Sequence, residues 1–275
     1  MRTFRSAARR PEGLHHECEA RRSDVIDGLF VYDAPRVISA VRSVATYVAV
    51  SLYVLIAAPI GMLLAIAFRW KGLLYFLGHT GVRLGLTLSG IKFEVKGAER
   101  LPLDRAAVYC SNHQSHIDPP VLFDALHPRM HILYKAEIDR IPVLARAFRL
   151  GGFIPVDRRN KEAGMRAIEA AAASLRAGNS FLVFPEGTRS TTDEMLPFKK
   201  GAFIMAIKAQ APVVPIVIRG GRDAMHRGSR VIQPVTLTIR VGVPVETTGL
   251  DVKDRDALIA RVRQQMAALL AAAPV

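Results

Sequence analysis

The chain has 275 residues, 50% of them hydrophobic, and its mean hydropathy is +0.20. This length suits one sizeable domain with an appendage and excludes two large domains. The formal net charge is +14; residues 1–42 hold 8 basic and 6 acidic side chains, which leaves +12 for the remainder. A basic globular part is typical of proteins with anionic partners, such as nucleic acid, acidic membranes or phosphorylated molecules.

Residues 1–42 are polar, rich in arginine and poor in aromatic residues. Such a composition does not supply enough apolar surface to build a core, so it predicts a flexible basic arm.

Residues 43–90 are predicted to anchor the chain in a membrane. Residues 43–68 contain no charged side chain, and this run of 26 residues exceeds the ~20 that cross a bilayer. Pro59 and Gly61 interrupt the run, and a second apolar stretch follows at 72–90. Three interpretations remain open: one spanning helix, a helix pair dipped into one leaflet, or a core helix of a soluble protein.

From residue 91 to 275, short β-like runs alternate with helical ones, which is typical of an α/β domain. We predict a single domain with a mixed central sheet flanked by helices. Strands are predicted at 91–96, 107–111, 132–135, 153–156, 181–184, 213–218 and 235–241, and helices at 119–126, 142–150, 161–177, 201–209 and 254–272.

The first polar cluster, residues 111–120, follows a predicted strand and precedes a predicted helix. His113 and Asp118 are five residues apart, which lets the carboxylate reach an imidazole nitrogen. The other ring nitrogen is then able to take a proton from a hydroxyl. Asp118 also suits a simple helix-capping role ahead of Pro119. His116 is a rival base, two residues from Asp118.

The second cluster, residues 184–190, also follows a hydrophobic strand and contains Pro185, Glu186, Gly187, Thr188 and Arg189. Glycine permits close backbone approach to a ligand, and arginine offers a planar fork for phosphate oxygens. The carboxylate of the glutamate is able to accept hydrogen bonds from a substrate hydroxyl. An exposed turn with an ordinary surface ion pair is the alternative interpretation.

Two further segments complete the pattern. Arg158 follows the strand in Gly-Phe-Ile-Pro-Val-Asp-Arg at 152–158, and Val214 and Pro215 open the apolar run Val-Pro-Ile-Val-Ile at 214–218. With Asn112-His113-x4-Asp118 and Phe-Pro-Glu-Gly-Thr-Arg-Ser, the four segments resemble the glycerolipid acyltransferase family in order and spacing. The resemblance extends from about Ile91 to Gly242.

This resemblance implies that residues 91–275 form a catalytic domain that moves a fatty acyl group from an acyl thioester to the free hydroxyl of 1-acylglycerol 3-phosphate, giving phosphatidate. It implies His113 as the general base and Asp118 as the residue that orients it. It also implies acceptor binding by Glu186, Gly187, Thr188, Arg189 and Arg158, with Asn112, Pro185, Val214 and Pro215 as supporting motif residues.

The same resemblance implies no bound cofactor or metal, because a thioester is already activated. The donor is expected to be acyl-CoA or an acyl carrier protein thioester. The other expected partners are a membrane bilayer and a lysophospholipid acceptor. The expected location is a bacterial-type inner membrane with the domain on the cytoplasmic side, where acyl thioesters are made.

Other functions fit parts of this pattern. The same chemistry fits a different acceptor: glycerol 3-phosphate, a lyso-ornithine lipid or a lysophospholipid. A serine hydrolase is disfavoured because the chain lacks a Gly-x-Ser-x-Gly elbow. A nucleic-acid-binding protein is disfavoured because no Walker, zinc-finger or RNA-binding signature is present, and Cys18 and Cys110 are too far apart for a zinc pattern.

Overall fold

The computed structural model describes residues 13–70, 72–126, 130–157, 159–192 and 194–272, with side chains from residue 36 onward. Within these ranges, the α-helices are α1 (Gly13–Ala67), α2 (Gly72–Ser89), α3 (Asp118–Ala125), α4 (Pro142–Leu150), α5 (Lys161–Arg176), α6 (Gly201–Ala209), α7 (Gly221–Ala224) and α8 (Arg255–Ala271). The strands are β1 (Lys92–Lys96), β2 (Val108–Ser111), β3 (Met130–Lys135), β4 (Ile154–Val156), β5 (Ser180–Val183), β6 (Val213–Arg219) and β7 (Thr236–Val241).

The seven strands form one sheet in the order β1-β7-β6-β2-β5-β3-β4. Neighbouring strands are parallel except β6 and β7, which pair antiparallel. The predicted α/β fold with a mixed central sheet is therefore confirmed. Each predicted strand and helix of the domain is present, with ends shifted by no more than two residues.

Both faces of the sheet are covered by helices. Successive strand side chains point to opposite faces, so in β2 Tyr109 packs with residues of α2 and α3, whereas Val108 and Cys110 pack with residues of α5, α6 and α8. In β6 the same alternation separates Ile216 from Val217. Burial on both faces explains why these strands read as continuous apolar runs.

Strand β2 lies between β5 and β6, and the three strands are parallel. Their carboxyl ends consequently meet at one edge of the sheet. Residues 112–117 follow β2, residues 184–200 follow β5, and residues 220–221 follow β6. This edge is where open α/β sheets usually bind ligands.

Helices α1 and α2 pack against each other as a hairpin. Whether Pro59 and Gly61 would bend the first apolar run was left open by the sequence; α1 continues through both residues to Ala67, and α2 follows from Gly72. The glycine allows close packing: a Cβ at Gly61 would lie 2.5 Å from Leu77 Cδ1. Small residues at helix crossings are common where helices meet in membranes.

The predicted flexible arm also differs from the structure. Helix α1 begins at Gly13 and runs through residue 42 without a break. The segment leads directly into the apolar part of the same helix, and extending an existing helix is less costly than nucleating a new one. Residues 1–12 of the predicted arm lie outside the described residues.

The outward face of α1 is apolar. Five of its large side chains are 53–68% exposed, which argues against a core helix of a soluble protein: Leu52, Leu55, Ile56, Ile60 and Leu63. The part from Arg36 to Ala67 contains an 18-residue window with a mean hydropathy of 2.3, and by length and composition it is able to cross a membrane. An exposed apolar surface of this kind is typical of segments that contact a membrane or another protein.

Candidate active site

The carboxylate of Asp118 is fully buried at the start of α3 and organises the loop after β2. Its Oδ2 accepts three hydrogen bonds: from the backbone N–H of Gln114 at 2.6 Å, from that of Ser115 at 2.7 Å, and from Nδ1 of His113 at 2.9 Å. Because Nδ1 donates to a carboxylate, the neutral ring of His113 keeps a lone pair on Nε2. The side chain of His113 is 16% exposed.

Gly221, at the end of β6, closes the space behind Asp118. A Cβ at Gly221 would lie 2.2 Å from Asp118 Oδ1 and 3.3 Å from Ser115 Cβ. The Ser115 hydroxyl donates to the carbonyl of Met225 at 3.0 Å. Sequence reasoning missed Gly221, although two glycines directly after a buried strand signal a close backbone approach.

Asn112 ties the end of β2 to β6. Its side-chain amide donates to the carbonyl of Ile218 at 3.0 Å, and its side-chain oxygen accepts the Ile218 N–H at 2.8 Å. The side chain thus pairs with Ile218 as a strand backbone would. This pairing fixes where the chain turns into His113.

The carboxylate of Glu186 contacts backbone groups of two loop segments. Its side chain is buried, Oε1 accepts the N–H of His113 at 3.0 Å, and Oε2 accepts the N–H of Leu196 at 2.9 Å. Burial raises the pKa of the Glu186 carboxyl, and its bonds to the Leu196 and His113 amides act in the opposite direction. Both oxygens hold backbone, so the geometry makes Glu186 a support for the loop of His113.

Other contacts fix the loop of residues 184–200 around His113. The ring of Phe184 stacks on the ring of His113, with centroids 4.2 Å apart and an interplanar angle of 25°. The N–H of Ser190 donates to the carbonyl of His113 at 2.8 Å. The N–H of Lys199 donates to the carbonyl of Pro185 at 2.8 Å and closes the base of the loop.

Arg189 lies at the mouth of this site. Partial burial lowers the pKa of His116, and the positive charge of Arg189 lowers it further. Among the described residues Arg189 makes no hydrogen bond or ion pair, whereas Thr188 is exposed beside it. Gly187 has a φ of +70° and packs on Lys199, where a Cβ would lie 2.8 Å from Cε.

The remaining predicted residues fall into two groups. Val214 and Pro215 are buried in β6, one strand from the loop of His113, and they pack the sheet without reaching the site. Arg158 lies outside the described residues.

Three side chains that resemble nucleophiles are engaged or inert. The hydroxyl of Ser190 donates to the carbonyls of Thr192 and Glu194, both at 2.9 Å, and that of Ser115 donates to Met225. Burial raises the pKa of the Cys110 thiol far above its usual range, which disfavours the reactive thiolate. These contacts favour direct attack by a substrate hydroxyl.

An apolar cavity of about 480 Å³ lies between α1, α2, α3 and α4, beside the dyad of His113 and Asp118. Ile117 and Pro119, which flank Asp118 in sequence, line one side of it. The hydroxyl of Tyr75, another lining residue, donates to the carbonyl of Gly151 at 2.7 Å and lies 2.9 Å from Nε2 of His131. The cavity is lined almost entirely by carbon, which suits an aliphatic chain.

The fold and this site define a class: an α/β protein with a histidine–aspartate pair at the carboxyl edge of its parallel strands. The family model for acyltransferases matches residues 92–219. A 1-acyl-sn-glycerol-3-phosphate acyltransferase of Limnanthes alba is 30% identical over 208 residues, 73% of each chain. The alpha form from Homo sapiens is 37% identical over 180 residues, which cover 65% of this chain and 64% of that relative, just under two thirds of its length.

The chain belongs to the acyltransferase family. The fold agrees with this, since the crystal structure of the 1-acyl-sn-glycerophosphate acyltransferase PlsC from Thermotoga maritima superposes with a TM-score of 0.74. That likeness covers 88% of this chain and all of the other, at 22% identity.

Replacing Gly221 with alanine should displace Asp118. The new Cβ would lie 2.2 Å from Oδ1 of a carboxylate that has no room to move, since Asp118 is fully buried. We expect the rate of acyl transfer to fall about 100-fold, the effect of a shift of about 1 Å in a catalytic group. Gly164→Ala in α5 is the control, because its nearest neighbour is 3.8 Å away. Wild-type turnover in Gly221→Ala would contradict this account of the site.

Replacing Glu186 with glutamine should change how stability depends on pH. A raised pKa means that the folded protein binds the proton more tightly, so wild-type stability falls as pH rises above about 4.5 towards the folded-state pKa. The glutamine variant lacks this titration. We therefore expect the unfolding free energy of the wild type, relative to that of the variant, to decrease as pH rises through that window. Denaturant melts from pH 4 upward measure it; a constant difference would contradict the raised pKa.

Proposed function

We propose that this protein is a 1-acyl-sn-glycerol-3-phosphate O-acyltransferase, which converts lysophosphatidate to phosphatidate in phospholipid biosynthesis. The observation that carries the proposal is the dyad: His113 bonds to buried Asp118 through Nδ1 at 2.9 Å and keeps Nε2 for a substrate. The names of the relatives support the choice of acceptor.

In the proposed reaction, Nε2 of His113 takes the proton of the acceptor hydroxyl as that oxygen attacks the carbonyl carbon of the acyl thioester. The imidazolium is stabilised by the carboxylate of Asp118. The C–S bond then breaks, and the proton on Nε2 passes to the departing thiolate. The ester bond forms directly, without an acyl-enzyme.

The acceptor phosphate is proposed to lie against Arg189 at the mouth of the site. This arginine has no hydrogen-bond or ion-pair partner among the described residues, and a guanidinium binds phosphate through a planar pair of N–H groups. Arg158 and Thr188 are proposed as further phosphate contacts because of their motif positions. Gly187 gives the loop the turn that presents them.

The apolar cavity is proposed to hold an acyl chain, since its wall at Ile117 and Pro119 adjoins the dyad. The helix pair α1–α2, residues 43–90 in the proposed division of the chain, is proposed to sit in the bilayer so that the acceptor enters from the membrane. The proposed location is a bacterial-type inner membrane with residues 91–275 on the cytoplasmic side. Acyl-CoA and acyl carrier protein are the two donors proposed.

Replacing His113 with alanine should reduce acyl transfer by about 10²–10⁴-fold, the usual contribution of a general base. The protein in detergent is given a long-chain acyl-CoA, and thiol release is followed with and without lysophosphatidate. His116→Ala is the matched control, because His116 is exposed three residues away and makes no bond to Asp118. Loss of activity in His116→Ala, with activity retained in His113→Ala, would show that His116 and not His113 is the base.

The acceptor and the donor are tested in the same assay. Glycerol 3-phosphate, a lyso-ornithine lipid and a lysophospholipid run beside lysophosphatidate, and acyl carrier protein thioesters run beside acyl-CoA. Release that depends on another acceptor would keep the chemistry and replace the proposed substrate. Absence of thiol release with every combination of acyl donor and acceptor would overturn the proposed function.

Replacing Arg189 with alanine should raise the apparent Michaelis constant for lysophosphatidate about 10-fold, since a charge-assisted hydrogen bond contributes about 1.5–3 kcal/mol. The constant for the acyl donor should change little. Monoacylglycerol, which lacks the phosphate, serves as a control acceptor whose use should be unaffected. An unchanged constant for lysophosphatidate would remove Arg189 from the phosphate site.

A further inference from the structure

Arg263, on α8, clamps the far side of the 184–200 loop. Its Nη1 donates to the carbonyl of Leu196 at 2.7 Å and its Nη2 donates to the carbonyl of Met195 at 2.8 Å. Its guanidinium carbon lies 5.2 Å from the centre of the Phe198 ring. Two hydrogen bonds from one planar group and a cation–π contact fix both the position and the orientation of this segment.

The clamped segment leads directly to the base. The N–H of Leu196 donates to Oε2 of Glu186 at 2.9 Å, and Oε1 of Glu186 accepts the N–H of His113 at 3.0 Å. Arg263 thus holds the carbonyl of the same residue whose N–H holds Glu186. The chain of contacts runs from α8 to the backbone of His113 without crossing solvent, since Glu186 is 3% exposed.

Electrostatics support the same connection. Burial raises the pKa of the Glu186 carboxyl, and the positive charge of Arg263 is among the influences that oppose this rise. The arginine therefore helps to keep Glu186 ionised, and an ionised carboxylate accepts the two backbone N–H groups more strongly than a neutral one.

We propose that Arg263 is a positioning residue for the active site, acting through the Leu196 backbone and Glu186 to hold the backbone of His113. This inference rests on the proposed function for its activity readout. Arg263 lies beyond residue 219, where the match to the family model ends. No local sequence motif indicates this contact, because Arg263 and the carbonyl that it binds are 67 residues apart in the chain and meet only in the folded protein.

The test compares three variants of the full chain in detergent. Arg263→Ala removes the clamp, Arg263→Lys keeps the charge and much of the stem but not the fork, and Arg261→Ala is a matched control on the exposed face of the same helix. We expect kcat to fall about 10-fold in Arg263→Ala and about 3-fold in Arg263→Lys. Neither Michaelis constant should change more than twofold, and Arg261→Ala should equal the wild type.

A double-mutant cycle separates positioning from general stability. If Arg263 acts through Glu186, then Arg263→Ala should lower kcat less than twofold when it is added to Glu186→Gln. Each variant is assayed well below its own thermal midpoint, so loss of folded protein does not contribute. Full additivity of the two substitutions, or wild-type kcat in Arg263→Ala, would overturn the inference.

Hydrogen–deuterium exchange gives a readout that does not need turnover. Peptides that cover residues 112–118 and 184–198 should exchange about 10-fold faster in Arg263→Ala than in Arg261→Ala. Unchanged exchange in the 112–118 peptide would overturn the role of Arg263 even if the enzyme were active. The two proposals can fail separately. If the wild type is inactive towards lysophosphatidate while Arg263→Ala still exchanges faster than Arg261→Ala, the proposed function is overturned and the positioning role is retained.

Discussion

The structure depends on one buried ion. Removing a carboxylate from water costs several kcal/mol unless charged or hydrogen-bonding groups replace the water. Asp118 meets this demand with two backbone N–H groups and the Nδ1–H of His113 on a single oxygen, and it also begins α3, where the helix dipole favours negative charge. The chain after β2 must therefore curl around the carboxylate. That curl orients the imidazole, so the interaction that satisfies the buried charge also leaves Nε2 of His113 available.

Around Asp118, where the strands end, side chains make the hydrogen bonds to backbone groups that neighbouring strands make within the sheet. Asn112 pairs with both polar groups of Ile218, and Glu186 receives the N–H groups of His113 and Leu196. The bonds of Asn112 to Ile218 and of Glu186 to His113 join the ends of neighbouring strands, and the bond of Glu186 to Leu196 closes the loop after β5 on itself, so the three loops at this edge are held together. Reactive groups supported by rigid elements and by a second layer of hydrogen bonds hold their geometry within fractions of an ångström.

Features of the fold and of the site were predictable from the sequence where the residues that form them are close together in the chain. The strands and helices of the domain were predicted because each has its own local periodicity and its own Gly, Pro or Asn boundary. The pairing of His113 with Asp118 was predictable because only four residues of loop separate them. The support given by Glu186 was not, because its partner Leu196 is fixed only by the folded loop. The continuity of α1 past Pro59 was one of several open interpretations, because it depends on packing against α2 as well as on local propensity.

The cavity and the helix pair α1–α2 are not separable parts. Val50 and Val54 of α1 and Leu74 of α2 form one whole side of the cavity, while Ile117 and Phe123 form another. A chain shortened to begin at the sheet would leave those last two side chains facing water, with the space beside the dyad open to solvent. Deletion is thus a poor route to a soluble enzyme. A better route is to replace exposed residues on the opposite surface of α1, such as Leu55, with polar ones, and to keep the α1 residues that line the cavity.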